Sequence, residues 1–486
     1  MGIVVTQSIK NTLATYFGFA IGAVNALFLY TNFLGTMHYG ITAFVLSAAN
    51  ILMPLMAFGV HNTLVRFYSR CQSESERGQF MSFMLWMPLL LIVPACLVFT
   101  FFYDEIAYFV LRENPEVRPY LWLIPAVGIC MGYFEVFYAW VKVHMQSVIG
   151  NLISEVLVRA VVMGLLFAVH WDWIGRETFL YGAAAAYGLQ WLAMMGYAFY
   201  IRPPEFHWGV PHNVRDIFGY SLFILLSGGV GVFLIDFDKV MIPAYENISS
   251  NALYSVAIFI ATVIAVPGRA MLQIIYPITA RLMSEHKYDE LNSLYKKSAI
   301  NLQVFGGWVM LGIFLNIHQL YLLIPPEYGG GVTVVFLIGL SKFSDLILGN
   351  NNAIILNTQY YRAVLLFGLL LVFLMIGLNM WLIPLFGIVG AAWATLISIL
   401  VYNAVKLAFV VRKMKLYPFT GKTLRSMLLI GVVFALFYFW DFQFHPVVNI
   451  ALKSVLITLL YGYLNYKWAI SPEMNQVLDR VIGRKK

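Results

Sequence analysis

The chain has 486 residues, of which 61% are hydrophobic, 16% aromatic and only 11% charged. A water-soluble domain of this size could not carry so much apolar surface, so the composition excludes a soluble protein and predicts one whose solvent is lipid. The formal net charge of +8 does not indicate nucleic-acid binding, because the lysines and arginines are spread between apolar segments.

Apolar runs punctuated by glycine, proline and charged residues predict about fourteen transmembrane helices, numbered as spans 1 to 14. A bilayer core about 30 Å thick is crossed by roughly 20 apolar residues in a helix, which sets the length of each run. Span 1 is longer than the apolar region of a signal peptide and lacks a cleavage site, so we expect it to remain as a span. The predicted spans are residues 12–34, 41–62, 79–102, 119–141, 150–170, 179–200, 216–237, 250–274, 299–320, 331–354, 363–384, 388–410, 424–440 and 447–468.

The loops between the spans differ in their cations, and cations collect on the cytoplasmic side of a membrane. The cation-poor loops hold Arg112, Arg118, Arg176 and Lys239. The alternate loops and the C-terminal end hold Arg66, Arg70, Arg77, Lys142, Arg202, Arg215, Arg281, Lys287, Lys296, Lys297, Arg362, Arg412, Lys413, Lys415, Lys422 and the tail Arg484–Lys486. Both termini are therefore predicted to be cytoplasmic, as an even number of spans requires.

The chain resembles itself at an offset of about 210 residues, which indicates an internal repeat. The matched features are Gly18 with Gly228, Tyr39 with Tyr254, Pro54 with Pro267, and the outer segments Glu113–Glu116 with Pro325–Tyr328. We therefore predict an all-α integral membrane protein with two pseudo-symmetric six-helix lobes, residues 1–211 and 212–415. A helical pair and a basic cytoplasmic tail follow in residues 416–486.

Two lobes of six spans each cross the bilayer in the same direction, which places their pseudo-two-fold axis along the membrane normal. This arrangement predicts a substrate cavity between the lobes. Pro54 and Pro267 can kink matching helices, so they are the predicted hinges. Close helix contact through small residues is expected at Gly18, Gly22, Gly228 and Gly231.

The longest predicted inner loop, residues 281–297, places Leu282, Leu291 and Leu294 at near-helical intervals among charged residues. This pattern indicates an amphipathic helix lying on the cytoplasmic face. A plain solvated connector between the lobes is an equally good interpretation.

Ionisable residues inside spans are costly, so each one is a candidate for function. Glu135 stands in span 4. Glu155 and Arg159 in span 5 are four residues apart with the acid N-terminal, which is the favourable order for an ion pair. At 1.5 Å per residue, Arg159 lies roughly 13 Å from the inner end of its span, close to mid-membrane.

Further charges occupy the spans of the second predicted lobe and the helical pair. Asp236 and Lys239 at the outer end of span 7 are three residues apart and can pair if the helix continues, while Asp238 would point elsewhere. Span 10 carries Lys342 and Asp345 at similar depth. Lys453 stands in span 14.

Two interpretations of these charges remain open. Each close pair can neutralise itself and merely make membrane insertion tolerable. Alternatively, cations face the cavity and hold a diphosphate and polar sugars, with acids available for H+ or Na+ coupling. The candidate substrate-binding cations are then Arg159 and Lys342, which we prefer as diphosphate contacts, and Lys239 and Lys453. The candidate ion-coupling residues or charge partners are Glu135, Glu155, Asp236, Asp238 and Asp345.

Catalytic and nucleotide-binding motifs are missing from the sequence. Gly421–Thr423 is similar to the end of a P-loop, but Leu416 stands where the first glycine belongs, so no phosphate cradle is predicted. We predict neither an enzyme nor an ATP-driven pump.

Signals for metals and disulfides are also weak. Cys71, Cys96 and Cys130 form an odd set without the spacing of metal ligands. His207 and His212 share a loop without nearby cysteines, which is typical of solvated histidines. No disulfide framework, metal site or resident cofactor is predicted.

Five stretches together resemble the Wzx-like polysaccharide (O-antigen) flippases of the multidrug/oligosaccharidyl-lipid/polysaccharide (MOP) exporter superfamily. They are Asp238–Ile242, Leu253–Ala257, Ile324–Tyr328, Leu378–Pro384 and Gly387–Thr395. The last two form the most specific run, and with fourteen spans the likeness covers nearly the whole chain. The spacing of Glu155 and Arg159 also resembles the family pattern.

The resemblance implies a V-shaped transporter of two lobes in the bacterial cytoplasmic membrane. It implies ion-coupled alternating access that turns an undecaprenyl-diphosphate-linked oligosaccharide outward for O-antigen, capsule or exopolysaccharide assembly. The implied partners are the lipid-linked substrate, membrane lipids, a glycan polymerase and glycosyltransferases.

Other members of the superfamily, and one other class of protein, fit less well. Lipid II flippases carry a cationic cluster in span 1, whereas residues 12–34 hold no charge here. Multidrug exporters usually have twelve spans and often an acid in span 1, yet a cation-coupled multidrug exporter is the alternative function. A membrane-embedded glycosyltransferase or polymerase would need a large outer loop, and the longest here is only about fifteen residues.

Overall fold

The computed structural model describes residues 2–110, 112–205, 209–211, 213–360 and 362–481. Over these ranges the chain is built of helices and turns, without a strand. The loop histidines His207 and His212 and the tail Arg484–Lys486 lie outside the described residues.

The helices follow the order of the predicted spans. As far as Met241 the helical segments are Gly2–Val24, Asn25–Leu29, Tyr30–Phe33, Gly35–Ala57, Val60–Tyr68, Glu74–Trp86, Leu89–Phe101, Tyr103–Val110, Pro115–Tyr120, Leu123–Val143, Ser147–Leu152, Ile153–Leu157, Val158–His170, Arg176–Ile201 and Val214–Met241. Beyond it they are Ile242–Ala244, Ile248–Thr262, Val263–Ala265, Val266–Ser284, Tyr288–Tyr321, Pro326–Gly331, Val332–Leu346, Asn351–Leu356, Ala363–Met414, Gly421–Tyr438, Pro446–Lys467 and Pro472–Val481.

Within the described residues, 12 helices are long and apolar enough to cross a membrane. Two features account for the difference from fourteen. The segment Ala363–Met414 has 52 residues and is non-helical at Gly387, so it contains predicted spans 11 and 12. Arg176–Ile201, a helix of 26 residues that is not among the twelve, coincides with predicted span 6. The all-α membrane architecture is confirmed, with fourteen as an approximate count of spans.

The chain reverses direction at Gly387. This residue has φ 56° and ψ −137°, a combination open to glycine because it lacks a Cβ atom. Span 12 then returns so close to span 11 that a Cβ atom added at Gly390 would lie 2.0 Å from the carbonyl oxygen of Leu382. The motif that carried the family resemblance is therefore a tight helical hairpin.

The chain divides into two compact units, residues 1–255 and 256–486. Span 7, which the repeat assigns to the second lobe, packs against span 2 within the first unit. The lobe boundary at 211/212 and the symmetry between the lobes remain predictions.

The predicted hinge prolines both lie beside breaks in their helices. Pro54 lies inside Gly35–Ala57, which ends where Phe58 and Gly59 take the left-handed conformation, with φ 49° and 63°. Pro267 is in the first turn of Val266–Ser284, directly after a short 3-10 turn. Their role as hinges remains a prediction.

Both interpretations of residues 281–297 are wrong. Val266–Ser284 and Tyr288–Tyr321 extend through this segment and leave only the turn Glu285–Lys287 between them. Leu282 and Leu291 are buried, and they belong to an apolar cluster with side chains of other helices in the second unit. The leucine spacing thus belongs to two long helices that pack on protein.

A buried asparagine ties the outer segment of the first unit to the turn between spans 7 and 8. Asn114 donates hydrogen bonds to the carbonyl oxygens of Pro243 (2.7 Å) and Glu246 (2.9 Å). Its own side-chain oxygen accepts from the backbone N–H of Ile248 at 2.6 Å. One side chain therefore satisfies three backbone groups of a turn that is more than a hundred residues away in sequence.

We expect Gly390→Ala to lower the free energy of unfolding by about 1–3 kcal/mol, because the added methyl group forces the two helices of the hairpin apart. The matched control is Gly377→Ala in span 11, where an added Cβ atom would meet no other atom within 4 Å. Thermal unfolding of the purified protein in detergent compares the two variants. Equal melting temperatures would contradict the tight approach at Gly390.

Candidate functional site

The predicted ion pair in span 5 is present. Arg159 donates from Nη1 to Oε2 of Glu155 at 2.7 Å and to the carbonyl oxygen of the same residue at 2.6 Å. The two side chains are 37% and 28% exposed, so neither is sealed inside the protein. Glu155 lies in the π-helical turn Ile153–Leu157, and Gln190 of span 6 donates to the carbonyl oxygens of Ile153 and Ser154 in that turn.

Arg159 packs against span 1 where that span has glycine. A Cβ atom added at Gly18 would lie 2.4 Å from the carbonyl oxygen of Glu155 and 2.7 Å from Nη1 of Arg159. At Gly22 it would lie 3.3 Å from Nε of Arg159. Farther along span 1, Asn25 donates to the carbonyl oxygen of Arg159 at 2.9 Å. The expected close helix contact is confirmed at Gly18.

The same expectation is wrong at Gly228 and Gly231 in span 7. A Cβ atom added at either position would meet no other atom within 4 Å. Glycine is common in membrane helices for reasons other than contact, so these two positions carried no packing signal.

Part of the guanidinium group of Arg159 makes no hydrogen bond to the described protein. Nη1 makes both bonds to Glu155, while Nε and Nη2 make no hydrogen bond within the part of the chain that the structure describes. An arginine fork with open donors is suited to a phosphate or carboxylate group, which it can bind through two parallel hydrogen bonds.

A second ion pair stands near the outer end of span 7, where the helix continues to Met241 as the predicted pairing required. Lys239 donates to Oδ1 of Asp236 at 2.8 Å. Ser47 of span 2 donates to the same oxygen at 2.9 Å, and Asn50 donates to Oδ2 at 2.5 Å. Asp236 is buried, and these three donors compensate its charge.

Asp238 points in a different direction, as the spacing predicted. It is buried and accepts a hydrogen bond from the hydroxyl group of Tyr254 at 2.5 Å.

Aromatic side chains link these charges with others in the first unit. Tyr187 of span 6 is close enough to interact electrostatically with both Arg159 and Asp236. Tyr138 of span 4 interacts in the same way with Glu135 and Glu155.

Two further titratable groups, Lys142 and His61, lie close to these residues near the end of span 4. The ammonium group of Lys142 lies 3.7 Å from the ring centre of Tyr138 and interacts electrostatically with Glu135. His61 interacts in turn with Lys142. We call the whole series the polar track, which comprises Asp236, Tyr187, Arg159, Glu155, Tyr138, Glu135 and Lys142.

The members of the polar track lie at different heights along the spans of the first unit. Asp236 is near the C-terminal end of span 7, and Lys142 is near the C-terminal end of span 4. In the alternating order of the spans these two helices run in opposite directions, so their C-terminal ends lie on opposite sides of the membrane. Ionisable groups kept within hydrocarbon are costly and are typical of transport proteins.

The second unit contains a buried cation that the sequence analysis missed. Lys406 in span 12 is only 2% exposed, and its ammonium group lies 3.4 Å from Asp345 and 3.1 Å from Asn352. It also lies over the ring of Tyr402, at 4.2 Å. Its position inside a predicted span was a signal that could have been used.

Asp345 therefore forms its ion pair with a residue of another helix, Lys406 in span 12. Its side chain is 57% exposed, at the mouth of a small cavity of about 30 Å³ that Lys406 also lines. Lys342 lies on the same helix and is half-buried. Its role, like that of Asp345, remains a prediction.

Lys453 is fully buried and donates to Asp441 at 2.8 Å. Asp441 belongs to the turn before the helix Pro446–Lys467. The structure thus places Lys453 in an ion pair with the turn between spans 13 and 14, and its predicted role in substrate binding is untested.

Among the described residues, no group of three or more His, Cys, Asp or Glu side chains could hold a metal ion. Cys71, Cys96 and Cys130 are free thiols. Burial raises the pKa of the Cys71 thiol, which lies in a loop, and so keeps it in its less reactive protonated form.

Comparison with known families adds to this geometry. Residues 4–283, more than half of the chain and the whole of the polar track, match the family described as polysaccharide biosynthesis protein. The chain belongs to this family. No curated relative matches it.

Solved structures show the fold that this member of the family adopts. The lipid II flippase MurJ in an inward closed conformation is 14% identical, with 95% of this chain and 100% of that chain covered and a TM-score of 0.75. An inward-facing multidrug resistance MATE family transporter of the MOP superfamily is 12% identical, with 85% and 95% covered and a TM-score of 0.60. A mutant Vibrio cholerae MATE transporter, VcmN, is also 12% identical, with 85% and 98% covered and a TM-score of 0.55.

These identities establish a common fold. The family match confirms the predicted likeness to polysaccharide biosynthesis proteins, and the chain shares its fold with the MurJ and MATE structures.

We expect Asp236→Ala to destabilise the protein more than the double change Asp236→Ala with Lys239→Met. The single change leaves a largely buried ammonium group without its counter-ion, at a cost of about 3–5 kcal/mol, whereas the double change removes both charges. Thermal unfolding in detergent measures the difference.

The matched control for this pair is the exposed ion pair of Arg118 and Asp104. Exposed pairs contribute about 0.2–1 kcal/mol, so Asp104→Ala with or without Arg118→Met should unfold close to the unchanged protein. Equal losses in the single and double Asp236 variants would argue against a compensated buried pair.

Proposed function

We propose that the chain carries a lipid-linked oligosaccharide with an undecaprenyl diphosphate anchor across the bacterial cytoplasmic membrane by ion-coupled alternating access. The product would serve O-antigen, capsule or exopolysaccharide assembly. The family match covers the polar track, and the neighbours in fold are named as a flippase and as transporters, which supports transport over catalysis. The observation that carries the proposal is the partly exposed guanidinium group of Arg159, which has donor nitrogens without a hydrogen bond, on a residue that the sequence predicts to lie near mid-membrane.

The chemistry of the diphosphate suits Arg159. A diphosphate offers several anionic oxygens, and an arginine fork binds such oxygens through parallel, charge-assisted hydrogen bonds. Without substrate, Glu155 compensates the guanidinium charge and lowers the cost of keeping it within the membrane. The incoming diphosphate would compete with Glu155 for the same cation.

Neutral polar groups along the track suit the sugar part of the substrate. Tyr187, Ser47 and Asn50 carry hydroxyl or amide groups near the two ion pairs, and sugar hydroxyl groups can exchange hydrogen bonds with them. Lys239 would supply a second cation in the first unit. We keep Lys342 as a proposed diphosphate contact in the second unit.

A cation-coupled multidrug exporter is the second candidate, because the fold is shared with MATE transporters. A cationic drug needs uncompensated acids, however. Both Glu155 and Asp236 are neutralised by cations of the chain itself, at 2.7 and 2.8 Å. These two acids are therefore less suited to hold a cationic drug.

We expect Arg159→Ala and Lys342→Ala to abolish surface glycan while the protein still inserts into the membrane at its normal level. Arg159→Lys should restore part of the glycan, because an ammonium group keeps the charge but lacks the planar fork. The variants are expressed in the native host from which the gene has been deleted, and glycan and membrane protein are quantified by gel and immunoblot.

The control for this experiment is Arg112→Ala, which removes an exposed arginine of an outer loop and should leave the glycan unchanged. Normal glycan in both Arg159→Ala and Lys342→Ala would count against the assigned site. Resistance to cationic dyes on overexpression, with no change in glycan on deletion, would favour multidrug export.

A further inference from the structure

Span 10 is interrupted within its predicted length, and the interruption is fixed against span 9 in the second unit. The helix Val332–Leu346 is followed by a turn in which Gly349 has φ 58°, and a helix resumes at Asn351–Leu356. A Cβ atom added at Gly349 would lie 2.7 Å from Oγ of Ser298. The buried side chain of Asn350 accepts a hydrogen bond from the same hydroxyl group at 3.0 Å. Discontinuous spans form substrate sites in many transporters, because irregular backbone within the membrane is tolerated where it lines a cavity.

The interruption brings polar side chains to the small cavity beside Lys406. The ammonium group of this lysine donates to the side-chain oxygen of Asn352 at 3.1 Å and lies 3.4 Å from Oδ1 of Asp345. Asn351 also lines the cavity and is buried. Its amide group donates to the hydroxyl group of Tyr295 at 2.6 Å, while its Oδ1 has no hydrogen-bond partner among the described residues. A buried oxygen without a partner is costly, so it marks a position where a ligand can donate a hydrogen bond.

Asp345 connects this cavity with water. Its side chain is 57% exposed, against 2% for Lys406. An acid so exposed within a span borders water, since contact with hydrocarbon would be far more costly. Tyr276, in the helix Val266–Ser284, lines the same cavity and is also partly exposed. A polar molecule in water can therefore approach Lys406 past Asp345 and Tyr276.

The charges at the cavity decide which chemical group suits it. The carboxylate of Asp345 would repel a phosphate group, and the ammonium group of Lys406 would repel a metal cation. A hydroxyl group both accepts and donates. It can accept from Nζ of Lys406 and donate to Asp345 or to the unpartnered oxygen of Asn351.

The size of the cavity limits how much of a ligand can enter. Its volume of about 30 Å³ exceeds the roughly 10–15 Å³ that one water molecule needs, but it is too small for a sugar ring. A hydroxyl or hydroxymethyl group can enter while the ring remains outside. The side chain of Tyr276 offers an apolar face to such a ring.

We propose that the cavity at Lys406 is a subsite for a hydroxyl group of the glycan that the chain transports, with the sugar ring against Tyr276. The inference rests on the proposed function, because it requires a substrate with a sugar part. Lys406 is six residues before Arg412, toward the predicted cytoplasmic end of span 12, which is the side from which the substrate would enter. The diphosphate anchor alone would not use this subsite.

Two probes separate the sugar from its anchor. One is undecaprenyl diphosphate, and the other is the same lipid carrying the oligosaccharide, extracted from the native host. Native mass spectrometry of the full chain in detergent measures the affinity for each. The double change Lys406→Met with Asp345→Asn removes both charges together, and we expect it to lower the affinity for the sugar-bearing lipid by about tenfold. The affinity for undecaprenyl diphosphate should not change.

Tyr276 provides a second test at the mouth of the cavity, where substitution leaves the buried groups in place. Tyr276→Ala should lower the affinity for the sugar-bearing lipid by about threefold, and Tyr276→Phe, which keeps the ring, should retain it. The matched control is Tyr463→Ala, which removes an exposed tyrosine from the helix Pro446–Lys467 and should leave both affinities unchanged. Thermal unfolding of each variant confirms that it is folded.

Equal losses of affinity for the two lipids would overturn the inference and leave the proposed function standing. The same holds if the double variant and Tyr276→Ala both bind the sugar-bearing lipid as tightly as the unchanged protein does. If the unchanged protein binds neither lipid, the proposed function itself fails, and the subsite fails with it.

Discussion

The guanidinium group of Arg159, which lies within an apolar span, is surrounded by features that compensate its charge. Glu155, one turn away, supplies both a carboxylate and a backbone carbonyl oxygen to the same nitrogen. Gly18 leaves the space in which this pair meets span 1. A charge buried without such compensation would cost several kcal/mol, on the order of the whole stability of a small domain. Tyr187 and Tyr138 are close enough to interact electrostatically with this ion pair and with the neighbouring acids.

Arg159 and Lys239 each have an acidic partner on their own helix. Both ion pairs, Arg159 with Glu155 and Lys239 with Asp236, are formed by residues three or four positions apart on one helix. Such pairs can form before tertiary packing and help the segment enter the membrane. Under the proposed function, an incoming anion would have to displace the acidic partners of these cations. Substrate charge and internal charge therefore compete within a single network.

Sequence reasoning succeeded where short-range periodicity decides the structure. Hydropathy located the spans, and spacing along one helix was enough to pair Arg159 with Glu155 and Asp236 with Lys239. It failed where the partner comes from elsewhere in the chain. Asp345 pairs with Lys406, 61 residues away, and Asn114 binds the turn around Pro243. A leucine repeat has the same spacing in a helix that lies on the membrane surface and in a helix that continues from a span. For this reason residues 281–297 were misinterpreted.

The hairpin at Gly387 has a consequence for the biogenesis of the protein. Leu385 and Phe386, which precede the turn, are exposed apolar residues, and no polar loop separates spans 11 and 12. The two helices can therefore partition from the translocon together, without moving a hydrophilic connector through the bilayer. Each helix also satisfies its own backbone groups within the lipid. A break in the chain between these two spans would leave an apolar end where the hairpin now turns.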